Sequence, residues 1–413
     1  MTPHHTTAPA RRSAPRAGRP AVTWEQARAT ARDAVQPLPA ATLEPADALG
    51  HALAAPLAAR TDLPPFDTSA MDGWAVAGPG PWRLEDRTLL AGTRPAPLRP
   101  GAAAPIATGA RLPAGATAVL RREHGATDPA TGTLHVRSAA PGAAPGTDIR
   151  VQGHECRTGD PLLPAGATVT PAVLGLAAAA GHDRLTVHRR PTVELLVLGD
   201  ELLTGLPGDG RVRDALGPLL PPWLHALGAE VTGHHRVPDV AAPLTEAVRR
   251  SSADVVVTTG STAAGPVDFL HRALRANGAE LLVDSVAVRP GHPMLLAALP
   301  GTGSRPASHL VGLPGNPLAA VAGLVTLAAP LLGRLGGRTP DGPHRARAAA
   351  ALPGHPADTR LVPVRRAENG VTPLPYDGPA MLRGLARADH LAVLPPGGAT
   401  EGEYVTVLPL PAG

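Results

Sequence analysis

The chain has 413 residues, including 46 Gly and 50 Pro, and its 38 basic side chains are all Arg because the sequence contains no Lys. A chain of this length is expected to form about two to four domains, since single hydrophobic cores seldom grow further. The formal net charge is only +4 and aromatic residues make up 2% of the chain. Scattered arginines with few aromatic partners argue against nucleic acid as a partner.

The single cysteine, Cys156, excludes an intrachain disulfide and a zinc site built from several thiolates, which is typical of a reducing compartment. Residues 1–20 contain an Arg pair without a following apolar segment, so we predict a disordered tail and no export signal. The longest apolar run, residues 318–332, contains Pro330 and is shorter than the roughly 20 residues that span a bilayer. We expect a buried helix there, in a cytoplasmic protein with no membrane partner.

The predicted elements divide the rest of the chain into several folded parts. A helix is predicted at "TWEQARATARDAV", where Thr23 and Gln26 have the spacing of a capping box. Residues 21–60 and 150–190 carry turn and helix signals, and we expect them to form one discontinuous N-terminal domain. Residues 61–149 alternate short apolar runs with Pro and Gly turns, which predicts a β-rich insert domain.

Residues 191–337 follow a different pattern. The segments "TVELLVLGDELL", "ADVVVTTGSTAAG" and "SHLVGLPGNPLAAV" each place an apolar run before a Gly-containing loop, with a helical pattern downstream. This order is typical of a parallel sheet covered by helices on both faces. Short strand-like runs in residues 338–413 predict a small C-terminal β-domain. The predicted fold class is therefore a multidomain α/β protein with a central parallel α/β domain, a β-rich insert and a C-terminal β-domain.

Open α/β sheets bind ligands outside the carboxyl ends of their strands, so the loops after these strands are the candidate site. In "VLGDEL", Asp200 and Glu201 follow a predicted buried strand and could hold Mg²⁺ or orient a water. The same residues could instead cap and begin a helix, an alternative that the residues alone favour.

Two further loops and one turn offer groups to an anion. "TTGSTAAGPVD" provides the backbone N–H groups of residues 260–265 with Asp268 beside them, or else a tight turn with Asp268 as a helix cap. "GLPGNP" provides a rigid loop with Asn316, or a purely structural connection. "VRPGHP" places Arg289 and His292 around a Pro-Gly turn, although such pairs commonly lie on the surface. Together these features predict phosphate or oxyanion chemistry assisted by a divalent metal.

Seven strings occur in a distinctive order: "LPPFDTSAMDGWAV", "ATGARLPAGATAV", "DIRVQGHE", "GDEL", "TTGSTAAGPVDF", "RPGHP" and "GLPGNP". From about Thr23 to the end, they resemble the MoeA family of molybdopterin molybdenumtransferases, to which the C-terminal domain of gephyrin also belongs. The resemblance implies a cytoplasmic homodimer that uses Mg²⁺ to insert molybdenum from molybdate into adenylated molybdopterin, with release of AMP. It also implies the molybdopterin adenylyltransferase and molybdoenzyme chaperones as partners.

The resemblance further implies roles for individual residues. It implies catalytic roles for Asp67, Glu201 and Asp268, and metal binding by Glu155, Asp200, Glu201, Asp239 and Asp268. It implies substrate binding by Ser69, Asp72, Thr108, Arg150, Gly260, Ser261, Gly265, Arg289, His292, Pro314, Asn316 and Pro317. In the family, the string at residues 63–76 lies on the β-insert and helps to complete the active-site cleft across the dimer.

The chain departs from the family's pattern in several motifs. The family's GGVSVG is GSTAAG at residues 260–265, which removes a Gly suited to a left-handed backbone or a close phosphate. The family's Lys-Pro-Gly-Lys ends here in His292, and histidine is a weaker cation than lysine at pH 7. The family's Asp-Ser-Asn is Asp214-Ala215-Leu216.

These departures leave an alternative open: a catalytically degenerate carrier or scaffold that binds molybdopterin. A nucleotide hydrolase that shares only the α/β domain is a third possibility, but it does not explain the PPFD-x-SAMDG string.

Overall fold

The computed structural model describes residues 21–138, 140–262, 268–301, 306–339 and 344–411. The chain divides into two compact units, of which unit one comprises Met1–Pro39 and Arg189–Gly413 and unit two comprises Ala40–His188. The predicted N-terminal tail and Gly265 lie outside the described residues.

The secondary structure of the described residues is as follows. The helices are α1 (Trp24–Asp33), α2 (Pro45–Ala48), α3 (Pro171–Ala179), α4 (Leu216–Ala226), α5 (Ala241–Arg250), α6 (Phe269–Ala276), α7 (Pro317–Gly323) and α8 (Ala329–Leu335), with a π-helical segment at Leu324–Ala328 and 3-10 turns at Arg122–His124 and Leu385–Arg387. The strands of unit two are β1 (Ala40–Leu43), β2 (Ala52–Leu53), β3 (Leu57–Ala58), β4 (Thr68–Ser69), β5 (Gly73–Val76), β6 (Trp82–Leu84), β7 (Ala102–Ile106), β8 (Ala118–Arg121), β9 (Gly125–Asp128), β10 (Thr133–Val136), β11 (Ile149–Arg150), β12 (Pro161–Leu163) and β13 (Leu185–His188). The strands of unit one are β14 (Thr192–Leu198), β15 (Leu202–Leu203), β16 (Val212–Arg213), β17 (Glu230–Val237), β18 (Val255–Thr259), β19 (Glu280–Asp284), β20 (Val288–Arg289), β21 (Leu295–Leu299), β22 (Ser308–Leu313), β23 (His344–Arg347), β24 (Leu352–Pro353), β25 (Thr359–Ala367), β26 (Gly370–Pro373), β27 (His390–Leu394), β28 (Gly398–Ala399) and β29 (Tyr404–Pro409).

Unit two is built on a sheet of strand order β8-β5-β7-β6-β10-β9, with the smaller sheets β1-β13-β2, β12-β3 and β11-β4. Gly73, at the start of β5, is needed where two strands pass closely. A Cβ at this position would lie 2.0 Å from the Leu120 carbonyl oxygen on β8. The close approach of β8 therefore leaves no room for a side chain at the glycine of the SAMDG string.

Unit one is built on a sheet of order β17-β14-β18-β22-β21-β19. The strands β17, β14, β18 and β22 run parallel, whereas β21 and β19 are antiparallel to their neighbours. Val255, Val256 and Val257 on β18 are all 0% exposed, because apolar clusters involving α4, α7 and α8 on one face and α5 and α6 on the other cover the sheet. The predicted parallel sheet covered on both faces is confirmed.

Helix α1 belongs to unit one, and the capping box predicted at its start is present. Its buried residues, Trp24, Ala27 and Ala31, form one apolar face that joins the same core as the helical segment of residues 317–335. The Trp24 indole N–H donates to the Thr326 hydroxyl at 3.0 Å.

This packing differs from the predicted discontinuous domain. Residues 21–39 lie in unit one, whereas residues 40–60 and 150–188 lie in unit two. The physical reason is that the apolar face of α1 is buried against the helix that follows the GLPGNP string, and the Trp24–Thr326 bond between them joins residues 302 positions apart.

The segment Pro317–Leu335 is the one helix in the described part of the chain whose length and composition would allow it to cross a membrane. Within the protein, 78% of its most apolar window is buried, and Leu327 and Leu331 are 0% exposed. The apolar run is thus a buried helix, as predicted, and it supplies much of the core on its face of the sheet.

The C-terminal residues form a sheet of order β20-β25-β27-β29-β23, with β26 paired to β25. Strand β20 comes from the VRPGHP segment, and Arg289 is paired with Arg360 on β25. This pairing joins the predicted anion-binding turn to the C-terminal β-structure.

Candidate functional site

The loops after neighbouring parallel strands meet at one edge of the unit-one sheet. Asp200 follows β14 and Asp239 follows β17, and the two residues bond reciprocally. The Asp200 N–H donates to Asp239 Oδ2 at 3.3 Å, and the Asp239 N–H donates to Asp200 Oδ1 at 3.4 Å. The Ser261 hydroxyl, after β18, donates to Asp239 Oδ1 at 3.2 Å. Three of the residues nominated from the sequence therefore form one cluster.

The next loops in the sheet lie beside this cluster. Gly260 has a φ of +85° and Ser261 a φ of +52°, so the chain turns sharply at the end of β18. The Gly260 N–H donates to the Leu313 carbonyl at the end of β22, at 2.8 Å. A Cβ on Gly315 would lie 3.5 Å from the Gly260 Cα, so the two loop backbones pass closely. Residues 263–267 lie outside the described residues, so the predicted phosphate loop is described only at its start.

The GDEL turn does not begin a helix, and the capping alternative for Asp200 and Glu201 is wrong. Glu201 is followed by β15, which pairs with β16, and the next helix, α4, begins only at Leu216. Asp214 Oδ1 accepts the N–H groups of Leu216 and Gly217 at 3.0 and 2.9 Å, so this residue, which precedes the N-cap Ala215, satisfies the first N–H groups of the helix instead.

The shape of the GDEL turn depends on Gly199 and Arg236. Gly199 has a φ of +135°, and a Cβ there would lie 2.9 Å from Glu201 Oε2. The Arg236 guanidinium, on β17, donates to the carbonyl oxygens of Gly199 and Leu202. Sequence reasoning did not identify Arg236, because no local pattern marks a strand arginine that binds the backbone of a neighbouring loop.

Asp268 caps α6, as the structural alternative predicted, but it also belongs to a cluster around the buried His271. Its Oδ1 accepts the His271 N–H at 3.1 Å and the His271 Nδ1–H at 2.7 Å. The His271 Nε2–H donates to Asp284 Oδ1, at the end of β19, at 3.0 Å. The bond to Asp284 raises the pKa of His271 above its ordinary value against the opposing effect of burial, and the bond to Asp268 adds to the rise.

The helix that follows GLPGNP does not present its first N–H groups to a ligand. The N–H groups of Leu318 and Ala319 donate to the Pro379 carbonyl at 2.9 and 3.2 Å, and the Ala320 N–H donates to the Asn316 carbonyl. Pro314 is buried, Asn316 is exposed and Pro317 is the first residue of α7. A loop of the C-terminal β-structure therefore covers this helix terminus.

Arg289 and His292 each have a partner of their own. Arg289 Nε donates to Asp358 Oδ2 at 2.8 Å, and the His292 Nδ1–H donates to the Val286 carbonyl at 2.8 Å. These contacts bind the arginine to the C-terminal β-structure and the histidine to the backbone of its own turn. Neither of these contacts joins the Arg289 side chain to the His292 side chain.

In unit two, the opening string is bound to the other motifs of that unit. Asp67 Oδ1 accepts the Gln152 N–H at 2.8 Å, which connects PPFD to RVQGHE. Asp72 Oδ1 accepts the Thr108 N–H at 2.7 Å and the Thr108 hydroxyl at 3.0 Å, which connects SAMDG to the TGA turn. The Thr108 N–H, followed by its hydroxyl, lowers the pKa of Asp72 from its ordinary value. The carboxylate is therefore favoured in its ionised form.

The remaining unit-two candidates lie around the same strands. Ser69 is fully buried, and its hydroxyl donates to the Met71 carbonyl at 2.6 Å. Arg150 is exposed on β11, whose partner strand is β4. Glu155 is exposed and its N–H donates to the Leu63 carbonyl. Arg111, which the sequence did not nominate, lies 4.9 Å from the centroid of the Phe66 ring.

The donor atoms at the sheet edge decide whether a metal ion fits there. Within the described ranges, no group of three or more His, Cys, Asp or Glu side chains is arranged to hold a metal ion. Asp200, Asp239 and Ser261 instead provide two carboxylates and a hydroxyl at the sheet edge. This hard oxygen set fits Mg²⁺, which commonly binds one or two carboxylates together with waters and substrate phosphates.

Comparison with known families shows what the chain is similar to. Residues 22–181 match the MoeA N-terminal region (domain I and II), residues 194–334 a probable molybdopterin binding domain, and residues 345–410 the MoeA C-terminal region (domain IV).

Individual relatives cover much of the chain. A molybdopterin molybdenumtransferase of Nostoc sp. is 32% identical over 302 residues, which are 70% of this chain and 67% of that protein. One from Staphylococcus epidermidis is 28% identical over 384 residues, 88% of this chain and 89% of that protein. The crystal structure of a molybdopterin biosynthesis MoeA protein from Pyrococcus horikoshii has 25% identity and a TM-score of 0.71, and it covers 95% of this chain and 100% of its own.

Proposed function

This chain belongs to the MoeA family, whose members act in molybdenum cofactor biosynthesis, and we propose that it is a molybdopterin molybdenumtransferase that inserts molybdenum from molybdate into adenylated molybdopterin. The observation that best supports this proposal is the cluster of Asp200, Asp239 and Ser261 beside the Gly260 turn. Open α/β sheets bind ligands at the carboxyl ends of their strands, and carboxylates placed there suit a phosphate-bearing ligand that binds together with Mg²⁺.

In the proposed reaction, an oxygen of water or molybdate attacks the phosphoanhydride that joins the molybdopterin phosphate to AMP, its P–O bond breaks and AMP leaves. The two dithiolene sulfurs replace oxygen ligands of molybdate, which take up protons and leave as water, so the molybdenum keeps its oxidation state. Asp268 is our candidate for orienting the reacting oxygen, because its carboxylate is fixed at the N-terminus of α6 and remains 20% exposed. The Gly260 N–H is already bonded to Leu313, so we assign the terminal phosphate to the loop that begins after this residue.

We propose Asp200 and Asp239 as the residues that would hold Mg²⁺, with Glu201 beside them on the same turn. The metal would neutralise charge on the phosphate oxygens of the substrate. The two carboxylates orient each other's loops through their backbone bonds, which keeps like charges close together at the sheet edge. Glu155 is a unit-two residue, and its predicted metal-binding role stays a prediction.

The test is molybdate-dependent AMP release by the purified protein with adenylated molybdopterin and Mg²⁺. The matched variant is Asp268→Asn, because asparagine is as good a helix cap as aspartate and the fold should survive. We expect release by the wild type and a loss of at least about 100-fold in the variant, the size typical of general acid–base groups. Wild-type protein that binds the substrate but releases no AMP contradicts the proposal.

One observation favours a second candidate, the carrier or scaffold. The Arg289 side chain is bound to Asp358 and the His292 side chain to the Val286 carbonyl, so these contacts do not prepare either side chain to bind an anion. Tight binding of molybdopterin or finished cofactor, without AMP release and unchanged by Asp268→Asn, is the result expected of a carrier.

We also propose that the protein works in the cytoplasm as a homodimer, receives its substrate from the molybdopterin adenylyltransferase and passes its product to molybdoenzyme chaperones. The basis is family membership. Light scattering coupled to size exclusion tests the dimer directly, since one chain has a mass of 41.9 kDa. A single species of that mass at micromolar concentration contradicts it.

A further inference from the structure

His271 lies between two carboxylates and has almost no access to solvent. Its side chain is 8% exposed, and its two ring nitrogens lie 2.7 Å from Asp268 Oδ1 and 3.0 Å from Asp284 Oδ1. An ionised carboxylate is only an acceptor, so a ring nitrogen facing one is satisfied only as a donor. The ring therefore makes a charge-assisted bond on each side.

The two carboxylates come from different elements. Asp268 is the N-cap of α6, whereas Asp284 ends β19, an edge strand of the sheet. Asp284 is paired with Leu295 on β21, so its backbone is fixed by the sheet ladder. The imidazole thus joins the start of α6 to a rigid edge of the sheet.

His271 also fixes the orientation of the Asp268 carboxylate. Its backbone N–H and its Nδ1–H both donate to the same oxygen, Oδ1, at 3.1 and 2.7 Å. Two donors on one oxygen restrict rotation of the carboxylate about its Cβ–Cγ bond. A cap alone would supply only the backbone bond.

We propose that His271 is a positioning residue for the transfer reaction, which orients the Asp268 carboxylate while Asp284 holds the ring in place. This inference rests on the proposed function, in which Asp268 acts on the substrate. His271 itself has no role in binding the substrate, so its loss should slow turnover without weakening substrate binding.

The experiment measures kcat and KM for AMP release from adenylated molybdopterin with saturating molybdate and Mg²⁺. His271→Gln keeps one donor but loses the second, and Asp284→Asn leaves His271 and Asp268 in place while weakening the anchor. Glu280→Gln is the matched control, since it makes the same kind of change at the exposed beginning of β19. Circular dichroism and a thermal melt establish that each variant is folded.

We expect His271→Gln to lower kcat about tenfold or more, the loss typical of residues that orient a functional side chain, with KM within about twofold of the wild type. Asp284→Asn should give a smaller loss of the same kind, and Glu280→Gln should behave as the wild type. If His271→Gln fails to fold, comparison of kcat between Asp284→Asn and Glu280→Gln tests the positioning role instead.

A kcat equal to that of the wild type in both the His271 and the Asp284 variant overturns the positioning role. A rise in KM as large as the fall in kcat also overturns it, because the variant would then bind the substrate more weakly. An equal loss in Glu280→Gln also overturns it, because the effect would then belong to the strand. Wild-type protein without molybdate-dependent AMP release has a different meaning: it overturns the proposed function, and the positioning role with it.

Discussion

Asp200 and Asp239 cap each other across neighbouring parallel strands, each N–H donating to the other's carboxylate at 3.3 and 3.4 Å. Two like charges are held close together by this exchange, and among the described residues the Ser261 hydroxyl is the further side-chain donor to Asp239. Such proximity costs electrostatic energy in the absence of a cation. A bound divalent metal would relieve that repulsion, so the pair is better suited to ligand binding than to stability.

The first prediction concerns this pair. Asp239→Asn removes one of the charges but keeps an acceptor for the Asp200 N–H, so the fold should be retained. We expect the Mg²⁺ concentration for half-maximal AMP release to rise about tenfold or more, since a metal site loses one of its few carboxylates. Titration of AMP release with Mg²⁺ measures this effect.

Asp209→Asn is the matched control, because Asp209 is exposed and its φ of +51° is tolerated by asparagine. It should leave the Mg²⁺ titration unchanged. Equal Mg²⁺ dependence in Asp239→Asn and the wild type would show that the pair does not bind the metal.

The second prediction concerns Gly199. Its φ is +135°, and a Cβ would meet Glu201 Oε2 and Leu202 Cγ, each at 2.9 Å. Gly199→Ala should therefore cost about 1–3 kcal/mol in the free energy of unfolding, the usual range for a residue held in a strained backbone region. It should also displace the Glu201 carboxylate and lower turnover.

Chemical denaturation and AMP release test this prediction, with Gly205→Ala as the control. Nothing lies within 4 Å of a Cβ at Gly205. Equal unfolding free energies and equal AMP release in Gly199→Ala and Gly205→Ala would mean that the GDEL turn accommodates a Cβ at Gly199, contrary to this prediction.

The sheet edge was predictable because its signals are local. Buried apolar runs such as residues 255–257, followed by glycine turns, mark parallel strands wherever they occur, and parallel strands bring their carboxyl ends together. Asp200 and Ser261 each follow such a run. Asp239 follows β17, which no buried apolar run marks, and only the resemblance to the family nominated it.

Other features depended on partners far away in the chain. In the sequence, acidic residues after a strand resemble the start of a helix. The chain instead continues as a strand at Leu202, because β15 pairs with β16 and Arg236 binds the backbone of the turn. Likewise, the Pro379 carbonyl covers the first N–H groups of α7 from more than 60 residues downstream. No short-range pattern records either contact.

The third prediction tests the docking of α1. Trp24 is 6% exposed and its indole N–H donates to Thr326, which is 0% exposed. Trp24→Phe removes the donor and leaves the buried hydroxyl without that bond, so we expect a loss of about 1–3 kcal/mol in the free energy of unfolding. Urea denaturation followed by far-ultraviolet circular dichroism measures this loss.

Trp223→Phe is the control, since Trp223 is only partly buried on α4. Its loss should be clearly smaller. Equal losses would mean that indole size, rather than the bond to Thr326, accounts for the contribution of Trp24.

The fourth prediction concerns Asp254, which precedes β18. Burial opposes its ionisation, but the Arg189 guanidinium and the N–H and hydroxyl of Thr192 outweigh burial and lower the pKa of Asp254 below its ordinary value of 3.8. Arg189 donates from Nη1 and Nη2 to the two carboxylate oxygens at 2.8 and 2.9 Å. Asp254→Asn should cost about 1–3 kcal/mol at pH 7, towards the lower end because water screens the exposed side of Arg189.

The pH dependence gives this prediction its sign. A carboxyl whose pKa is lower in the folded protein than in the unfolded chain contributes its full stability above the unfolded value near 3.8. As the pH drops below that value the unfolded chain gains its proton first, so the contribution falls, and it is lost once the pH has passed through the folded pKa and the folded state is protonated as well. The difference in unfolding free energy between wild type and Asp254→Asn should therefore be constant from pH 7 to about 5 and shrink below pH 4. Urea denaturation across this range tests it, with Asp209→Asn as an exposed control. A difference that grows on acidification would mean that Asp254 is not ionised in the folded protein.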